Sequence, residues 1–178
     1  IWISRAARQV RYPAQFQLIA AMNPCPCGYF GDGTRQCDCS AQQIHRYRSR
    51  LSGPLLDRID LHVEVPPLPA GTLSDEIRTE GKPWELKVTI ATTRTLMLAR
   101  QGILNSKLDN EQIAKHCALS TGDTRILDDS VNHLGISARG YFKILKVART
   151  IADLSGMSRI TTPHLVEAIG YRKLNLPP

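Results

Sequence analysis

The chain has 178 residues, 42% of them hydrophobic, which suits one good-sized globular domain or two small ones. No apolar run approaches the ~20 residues of a membrane helix and no signal peptide opens the sequence, so we expect a cytoplasmic protein without a membrane partner. The chain begins with Ile1, and we expect it to be part of a longer protein. The net charge of +7 is concentrated in residues 1–50, which contain seven arginines, no lysine and two aspartates. Arginine without lysine favours bidentate contacts with phosphate or carboxylate, although a solvated basic face explains the pattern equally well.

The first part of the chain has the pattern of a sheet. Residues 1–3 and 10–12 alternate apolar and polar side chains and predict two short strands of an arginine-rich hairpin. The apolar run from Phe16 to Met22 predicts a strand buried on both faces, as in parallel sheets. Asn23 follows directly, at the strand end where open α/β sheets place their ligands.

Four cysteines come next, in two C-x-C pairs. Such a quartet supplies the tetrahedral ligand set of a structural zinc site, and the glycines between the pairs permit tight turns. An iron–sulfur cluster, free thiols and disulfides are the alternatives. Because four protein ligands would leave no open coordination position, we predict a structural rather than a catalytic metal site. Its ligands would be Cys25, Cys27, Cys37 and Cys39.

The remaining elements of the first half are predicted from helix-capping residues, helix-breaking residues and the alternation of apolar with polar side chains. Ser40 and Gln43 have the spacing of a capping box and predict a helix start. Residues 55–58 predict a turn, and residues 61–65 alternate as a final strand. The proline-rich segment 66–71 predicts a linker and a domain boundary.

After the linker the pattern changes to helices, so the expected fold class is α/β plus α, ending in a small helical bundle. Helices are predicted from Pro83 to Gly102, over 110–116, over 124–134, from Ser137 to Gly156, and from Thr162 onward. On the helix after Ser137, three basic side chains are predicted to face outward: Lys143, Lys146 and Arg149.

No nucleotide cradle is visible in the sequence. It has neither G-x4-G-K-[ST] nor an apolar strand ending in Asp-Glu, so this chain alone should not bind and hydrolyse a nucleoside triphosphate strongly. Three residues could still assist such a site: Asn23, Arg58 and Arg139. Each also has a structural explanation: Asn23 as a turn cap, Arg58 as a partner of Asp57 or Asp60, and Arg139 as a surface charge.

The chain closely resembles the ComM/YifB branch of the magnesium-chelatase-related AAA+ ATPases. The resemblance is carried by ISRAARQVRYPAQFQLIAAMNPCPCG, RLSGPLLDRIDLHVEVP and LGISARGYFKILKVARTIADLSG, and is weaker around residues 73–93. It implies that residues 1–66 are the C-terminal part of an AAA+ αβα core, 67–82 a linker and 83–178 an all-helical lid. The family's Walker A and Walker B motifs, which bind ATP and Mg²⁺, would then lie upstream of this chain.

The same resemblance implies roles for individual residues. Asn23 would be sensor 1, which positions the attacking water. Arg58 would be the arginine finger, which reaches the γ-phosphate of a neighbouring subunit, and Arg139 would be sensor 2 of the lid. The hairpin would face the channel of a hexameric ring and touch DNA through Arg5, Arg8 and Arg11.

Three functions are therefore open. The resemblance implies a fragment of a hexameric, ATP-driven DNA motor of the branch-migration or helicase type, which serves natural transformation. A magnesium-chelatase-type motor subunit, which drives metal insertion into a porphyrin, would share the same sensor and finger residues. A zinc-stabilised nucleic-acid-binding module without a motor role is the third. The cysteine loop and the arginine hairpin favour the DNA motor.

Overall fold

The computed structural model describes residues 1–5, 8–33, 35–66 and 83–172. The described residues form two compact units, the first from Ile1 to Tyr47 and the second from Arg48 onward. The predicted linker 67–82 lies outside the described residues, so the predicted domain boundary stays a prediction. None of the described helices is both long and apolar enough to cross a membrane.

The first unit opens with the predicted hairpin. Strands β1 (Trp2–Arg5) and β2 (Arg8–Arg11) pair antiparallel. In their register Ile3 lies opposite Val10, and beyond the ladder the amide of Tyr12 donates to the carbonyl of Ile1 at 2.8 Å. All eight strand residues are exposed.

The two other predicted strands are wrong for this structure. Residues 16–22 have no regular secondary structure, and their apolar side chains are exposed, Phe16 by 78% and Ile19 by 85%. Residues 61–65 likewise form no strand, and Val65 is 83% exposed. A strand buried on both faces requires a neighbouring strand at each edge and a packed layer over each face. The hairpin is the only sheet among the described residues, which are mostly helical rather than α/β.

Two short helices follow the cysteine loop. Helix α1 (Ala41–Arg48) starts with the predicted capping box: Gln43 N–H donates to Ser40 Oγ at 3.2 Å, and Ser40 N–H donates to Gln43 Oε1 at 2.8 Å. A single helical turn, α2 (Gly53–Leu56), is capped by the hydroxyl of Ser52 and leads into the predicted turn 55–58, in which the amide of Arg58 donates to the carbonyl of Leu55 at 2.9 Å.

Five further helices make up most of the second unit, and the predicted caps and breakers locate them. Helix α5 begins three residues earlier than predicted, because Ser120 is its N-cap. The helix ends at Gly135, whose φ of 61° lies in the left-handed region that glycine adopts at little cost. The helices are α3 (Pro83–Gln101), α4 (Asn110–His116), α5 (Thr121–Leu134), α6 (Ala138–Leu154) and α7 (Thr162–Gly170).

Helix α6 is the centre of this unit. It packs most extensively on α7 and also contacts α3, α4 and the short 3-10 turn Asn105–Lys107. Burying apolar side chains from several helices around one central helix is the main stabilising contribution in such a bundle. Side chains of this core with no exposed surface include Leu127, Ile144, Ala148 and Leu165.

A buried charged cluster joins α3 to α6. Asp153 accepts hydrogen bonds from Arg149 Nη2 at 2.9 Å, from Asn105 Nδ2 at 2.8 Å, and from both terminal nitrogens of Arg100. Burial raises the pKa of Asp153, but the hydrogen bonds from Arg100 and Asn105 and the charge of Arg149 outweigh it, so its pKa lies below the ordinary value. The predicted outward orientation of Arg149 is wrong: the residue is 2% exposed, and it also donates to the carbonyls of the loop that follows α6.

Candidate functional site

The predicted cysteine quartet comes together in the first unit. The sulfur of Cys25 lies 3.3 Å from that of Cys27 and 3.7 Å from that of Cys37, and all four sulfurs, including that of Cys39, lie within 4.8 Å of one another. The thiols are free, since a disulfide would need sulfurs about 2.05 Å apart. Four thiolates around one ion at about 2.3 Å would be about 3.8 Å apart, close to this arrangement. The four cysteines could therefore hold a single metal ion.

The loop backbone explains how the two C-x-C pairs meet. The amide of Gly28 donates to the carbonyl of Cys25 at 3.1 Å and closes a tight turn directly after Cys27. Gly28 has a φ of 88°, a conformation that residues with a side chain rarely adopt. Cys25 is fully buried and the other three cysteines of the quartet are half-buried, so the cluster is shielded on one side.

The thiols differ in acidity. A backbone hydrogen bond from Tyr29, together with hydrogen bonds from the neighbouring thiols, outweighs the effect of burial and lowers the pKa of Cys27 to about 6. For Cys37 the backbone hydrogen bond from Cys39 lowers the pKa, but burial and the hydrogen bonds to Cys27 and Cys25 raise it more, to about 12. One thiolate thus forms readily and opposes ionisation of the others. A bound cation would remove that opposition.

Asn23 lies immediately before the cysteine loop and is exposed. Its carboxamide lies against the Gly28 turn, where the amide nitrogen is 3.7 Å from the position that a Cβ of residue 28 would take. Among the described residues the Asn23 side chain makes no hydrogen bond, so its amide is available to a ligand. Its role as a sensor stays a prediction.

Arg58 follows α2 in the second unit, and its side chain is exposed. Its Nη1 donates to the carbonyl of Pro54 at 2.7 Å. It does not pair with either neighbouring carboxylate, because Asp57 lies 3.4 Å from Arg172 and Asp60 pairs with Lys143. The expected pairing of Arg58 with Asp57 or Asp60 is therefore absent, and its local bond is the one to Pro54.

Arg139 lies in the first turn of α6. The hydroxyl of Ser137 accepts from the amide of Gly140 at 3.1 Å and caps this end of the helix, where the helix dipole favours anions. The Arg139 side chain is exposed and, in the part of the chain that the structure describes, has no hydrogen bond or ion pair. Its role as sensor 2 likewise stays a prediction.

The hairpin register places the predicted DNA-contacting arginines. Arg5 lies directly opposite Arg8 at the turn end of the hairpin, and Arg11 lies opposite Trp2, with its guanidinium carbon 6.0 Å from the indole centroid. Like charges on facing positions repel each other, and an anion between them would relieve the repulsion. The described hairpin residues include no acidic side chain.

The structure also brings in two residues that the sequence analysis did not assign to a site. Lys143 Nζ donates to the carbonyl of Arg58 at 2.9 Å, and Arg172 Nη1 donates to the carbonyl of Ile59 at 2.5 Å. Lys143 is thus not a purely solvent-facing side chain as predicted. These contacts join residues that are far apart in the sequence, and neither the helical periodicity nor any motif predicts them.

Comparison with known proteins gives matches over almost the whole chain. The family model described as Magnesium chelatase, subunit ChlI matches residues 1–73, and the one described as Magnesium chelatase, subunit ChlI C-terminal matches residues 83–172. The chain is 45% identical over 174 residues to Competence protein ComM of Haemophilus influenzae, and 42% identical over 176 residues to Uncharacterized protein YifB of both Salmonella typhimurium and Escherichia coli. These alignments cover 98% of this chain but 34% of each relative, so the chain spans about a third of their length.

Proposed function

Because the chain belongs to the ComM/YifB-type family related to magnesium chelatase subunit ChlI, we propose that it is the C-terminal part of a hexameric AAA+ ATPase that moves along DNA. Motors of the branch-migration or helicase type, such as natural transformation requires, would fit this proposal. The observation that carries the DNA assignment is the hairpin β1–β2, whose three exposed arginines have no acidic neighbour among the described hairpin residues. Guanidinium groups in such an arrangement suit phosphate contacts without sequence preference.

In this proposal the nucleotide-directed residues of the chain act on an ATP held by residues outside it. Bound Mg–ATP would supply the phosphoryl group whose negative charge spreads over the transition state. The exposed guanidinium of Arg58 would stabilise that charge in a neighbouring subunit, and Arg139 would contact a phosphate from the positive end of α6. The free carboxamide of Asn23 would orient the attacking water.

We further propose that the cysteine cluster binds one zinc ion in a structural role. The sulfurs of Cys25, Cys27 and Cys37 lie 3.3–3.7 Å apart and that of Cys39 lies within 4.8 Å of them, which fits a single tetrahedral ion. A multi-iron cluster would distribute its thiolates over different iron atoms and hold them farther apart. The ion would fix the ends of the loop that follows Asn23 and so limit the movement of that side chain.

The exposed apolar segments support the idea that residues outside this chain complete a sheet. Phe16, Ile19 and Val65 lie in segments whose sequences have strand patterns but whose side chains are exposed. Exposed apolar patches of this kind mark contact surfaces. In the longer relatives, the remaining two thirds of the protein could supply the pairing strands.

The test is DNA binding by the full-length protein. Binding of single-stranded and branched DNA should weaken steeply with salt. The variant R5A/R8A/R11A should give a shallower salt dependence, by about 0.9 in log–log slope for each duplex phosphate that these arginines neutralise in the wild type. The matched control R94A/R125A/R159A removes three exposed arginines from the second unit and should keep the wild-type slope. Absence of DNA binding even at low salt would refute the proposal.

A chelatase-type motor is the second candidate, since the family is described by a magnesium chelatase subunit. It predicts ATP hydrolysis that responds to a porphyrin-binding partner rather than to DNA. A zinc-stabilised nucleic-acid-binding module without a motor role is the third, and it predicts DNA binding by a protein without a phosphate loop in the residues before Ile1. ATPase stimulation by DNA in the full-length protein would favour the DNA motor over both.

A further inference from the structure

The turn that carries Arg58 is held by the helical bundle from two sides. From α6, Lys143 Nζ donates to the carbonyl of Arg58 at 2.9 Å and pairs with the carboxylate of Asp60. From the end of α7, Arg172 Nη1 donates to the carbonyl of Ile59 at 2.5 Å. These bonds hold the backbone on both sides of Arg58 without engaging its side chain.

The same end of α7 fixes the residues after the turn. The amide of His62 donates to the carbonyl of Tyr171 at 2.8 Å, and the His62 ring lies 3.2 Å from the carbonyl of Leu56, so it ties the two ends of the turn together. Burial lowers the pKa of His62, and the charge of Arg172 lowers it further, so the neutral ring is favoured beside Arg172.

Lys143 and Arg172 are more buried than Arg58, the residue whose turn they hold. The side chain of Arg172 is 5% exposed and that of Lys143 is 18% exposed, whereas Arg58 is exposed. A buried cation that donates to backbone carbonyls fixes geometry more firmly than a solvated one. The turn is therefore fixed at its base, while the exposed Arg58 guanidinium has only its local bond to the Pro54 carbonyl to give up when it reaches outward.

Gly140 makes the approach of Arg172 possible. A Cβ at this position would lie 2.5 Å from Ile136 Cγ2 and 3.2 Å from Arg172 Nη2. Gly140 is buried in the first turn of α6, where a side chain would have no room. The space it leaves lets the Arg172 side chain lie against α6 and reach Ile59.

We propose that Lys143 and Arg172 are positioning residues that attach the Arg58 turn to the helical bundle, so that movement of α6 moves the Arg58 guanidinium. The proposal rests on the proposed role of Arg58 in ATP hydrolysis. Helix α6 also carries Arg139, one helical turn before Lys143 and on the same side of the helix. A change at Arg139 on phosphate binding would thus reach Arg58 through one rigid helix.

The kinetic test uses the full-length protein and the variants R58A, K143M and R172M. R58A should lower kcat for ATP on the order of 1,000-fold, and K143M and R172M should lower kcat at least ten-fold with little change in KM. The double variant R58A/K143M should be no slower than R58A, because both changes remove the same contribution. The matched control is K146M, since Lys146 lies on α6 without touching the turn and should leave kcat near wild type.

A second readout does not depend on activity. Hydrogen exchange of the peptide containing residues 58–62 should accelerate in R172M and in G140A, while the helices of the bundle keep their protection. Unchanged exchange in both variants would overturn the inference. A normal kcat in R58A would overturn the proposed role of Arg58, whereas a slow R58A with a normal K143M would overturn only the positioning role.

Discussion

Cysteine side chains in this chain occupy two distinct environments. Four of them meet at one point in the loop that follows Asn23, whereas Cys117 is 2% exposed in the helical core, where burial raises its pKa to about 11. Among the described residues, Cys117 belongs to no group of side chains that could share a metal ion. The same residue type thus suits metal binding in one place and serves as a small apolar side chain in the other.

Substituting one cysteine from each environment should affect the zinc content of the protein differently. The full-length protein should contain about one zinc ion per chain, C37S should lose it because three thiolates no longer complete the tetrahedron, and C117S should keep it. Elemental analysis of the purified proteins measures the zinc content. A wild-type protein without metal, or equal zinc in both variants, would contradict the proposed site.

At the scale of elements, α6 connects most of the second unit. One of its faces carries apolar side chains into the core, and its C-terminal half carries Arg149 and Asp153 into the charged cluster with Arg100 of α3. Such a cluster is costly to bury and tolerates the removal of a partner poorly. The charged cluster therefore determines how α3 packs on α6 more than it adds to the free energy of unfolding.

Removing the carboxylate tests how costly it is to leave the buried cation without its partner. D153A leaves the cation of Arg149 buried without its anion and should lower the free energy of unfolding by about 3 to 5 kcal/mol. The control D129A removes an exposed carboxylate from α5 and should change stability by less than about 0.5 kcal/mol. Denaturant unfolding, followed by helix content, measures both, and equal midpoints for the two variants would refute the role of the cluster.

At the scale of the whole molecule, the proposed function would have the chain contribute residues to a reaction whose nucleotide-binding residues it does not contain. It has no phosphate loop and no acidic strand, and it spans 34% of its relatives. The purified chain should therefore hydrolyse ATP no faster than a buffer control, whereas the full-length protein should hydrolyse it at a rate that R58A lowers. A phosphate-release assay compares the three proteins. Sustained hydrolysis by the chain alone would show that it holds a nucleotide site of its own.

The helices could be predicted from the sequence because their signals are local. Ser40 with Gln43, Ser137 and Gly135 act on residues within four positions of themselves, and the structure confirms each of them. The cysteine cluster was also predictable, since closely spaced ligands need only a tight loop to meet.

The strands and the contacts of the basic side chains could not be predicted in the same way, because both depend on residues that are distant in the sequence. The apolar pattern of residues 16–22 shows that they suit a strand but not whether other strands pair with them. Arg149 was predicted to face solvent because basic side chains usually do, and only its pairing with Asp153 and nearby carbonyls makes burial favourable. The contacts of Lys143 and Arg172 with the Arg58 turn were unpredictable for the same reason.

The hydrogen bond from Arg172 to Ile59 joins residues 113 positions apart. A ribosome delivers Arg172 only after helices α3 to α7 have been synthesised, so this bond cannot form before the helices of the bundle exist. A chain cut short before Arg172 could fold most of its bundle and still leave the Arg58 turn unsecured. Translation would thus supply the helices of the bundle before the residue that holds the turn of Arg58, the proposed arginine finger.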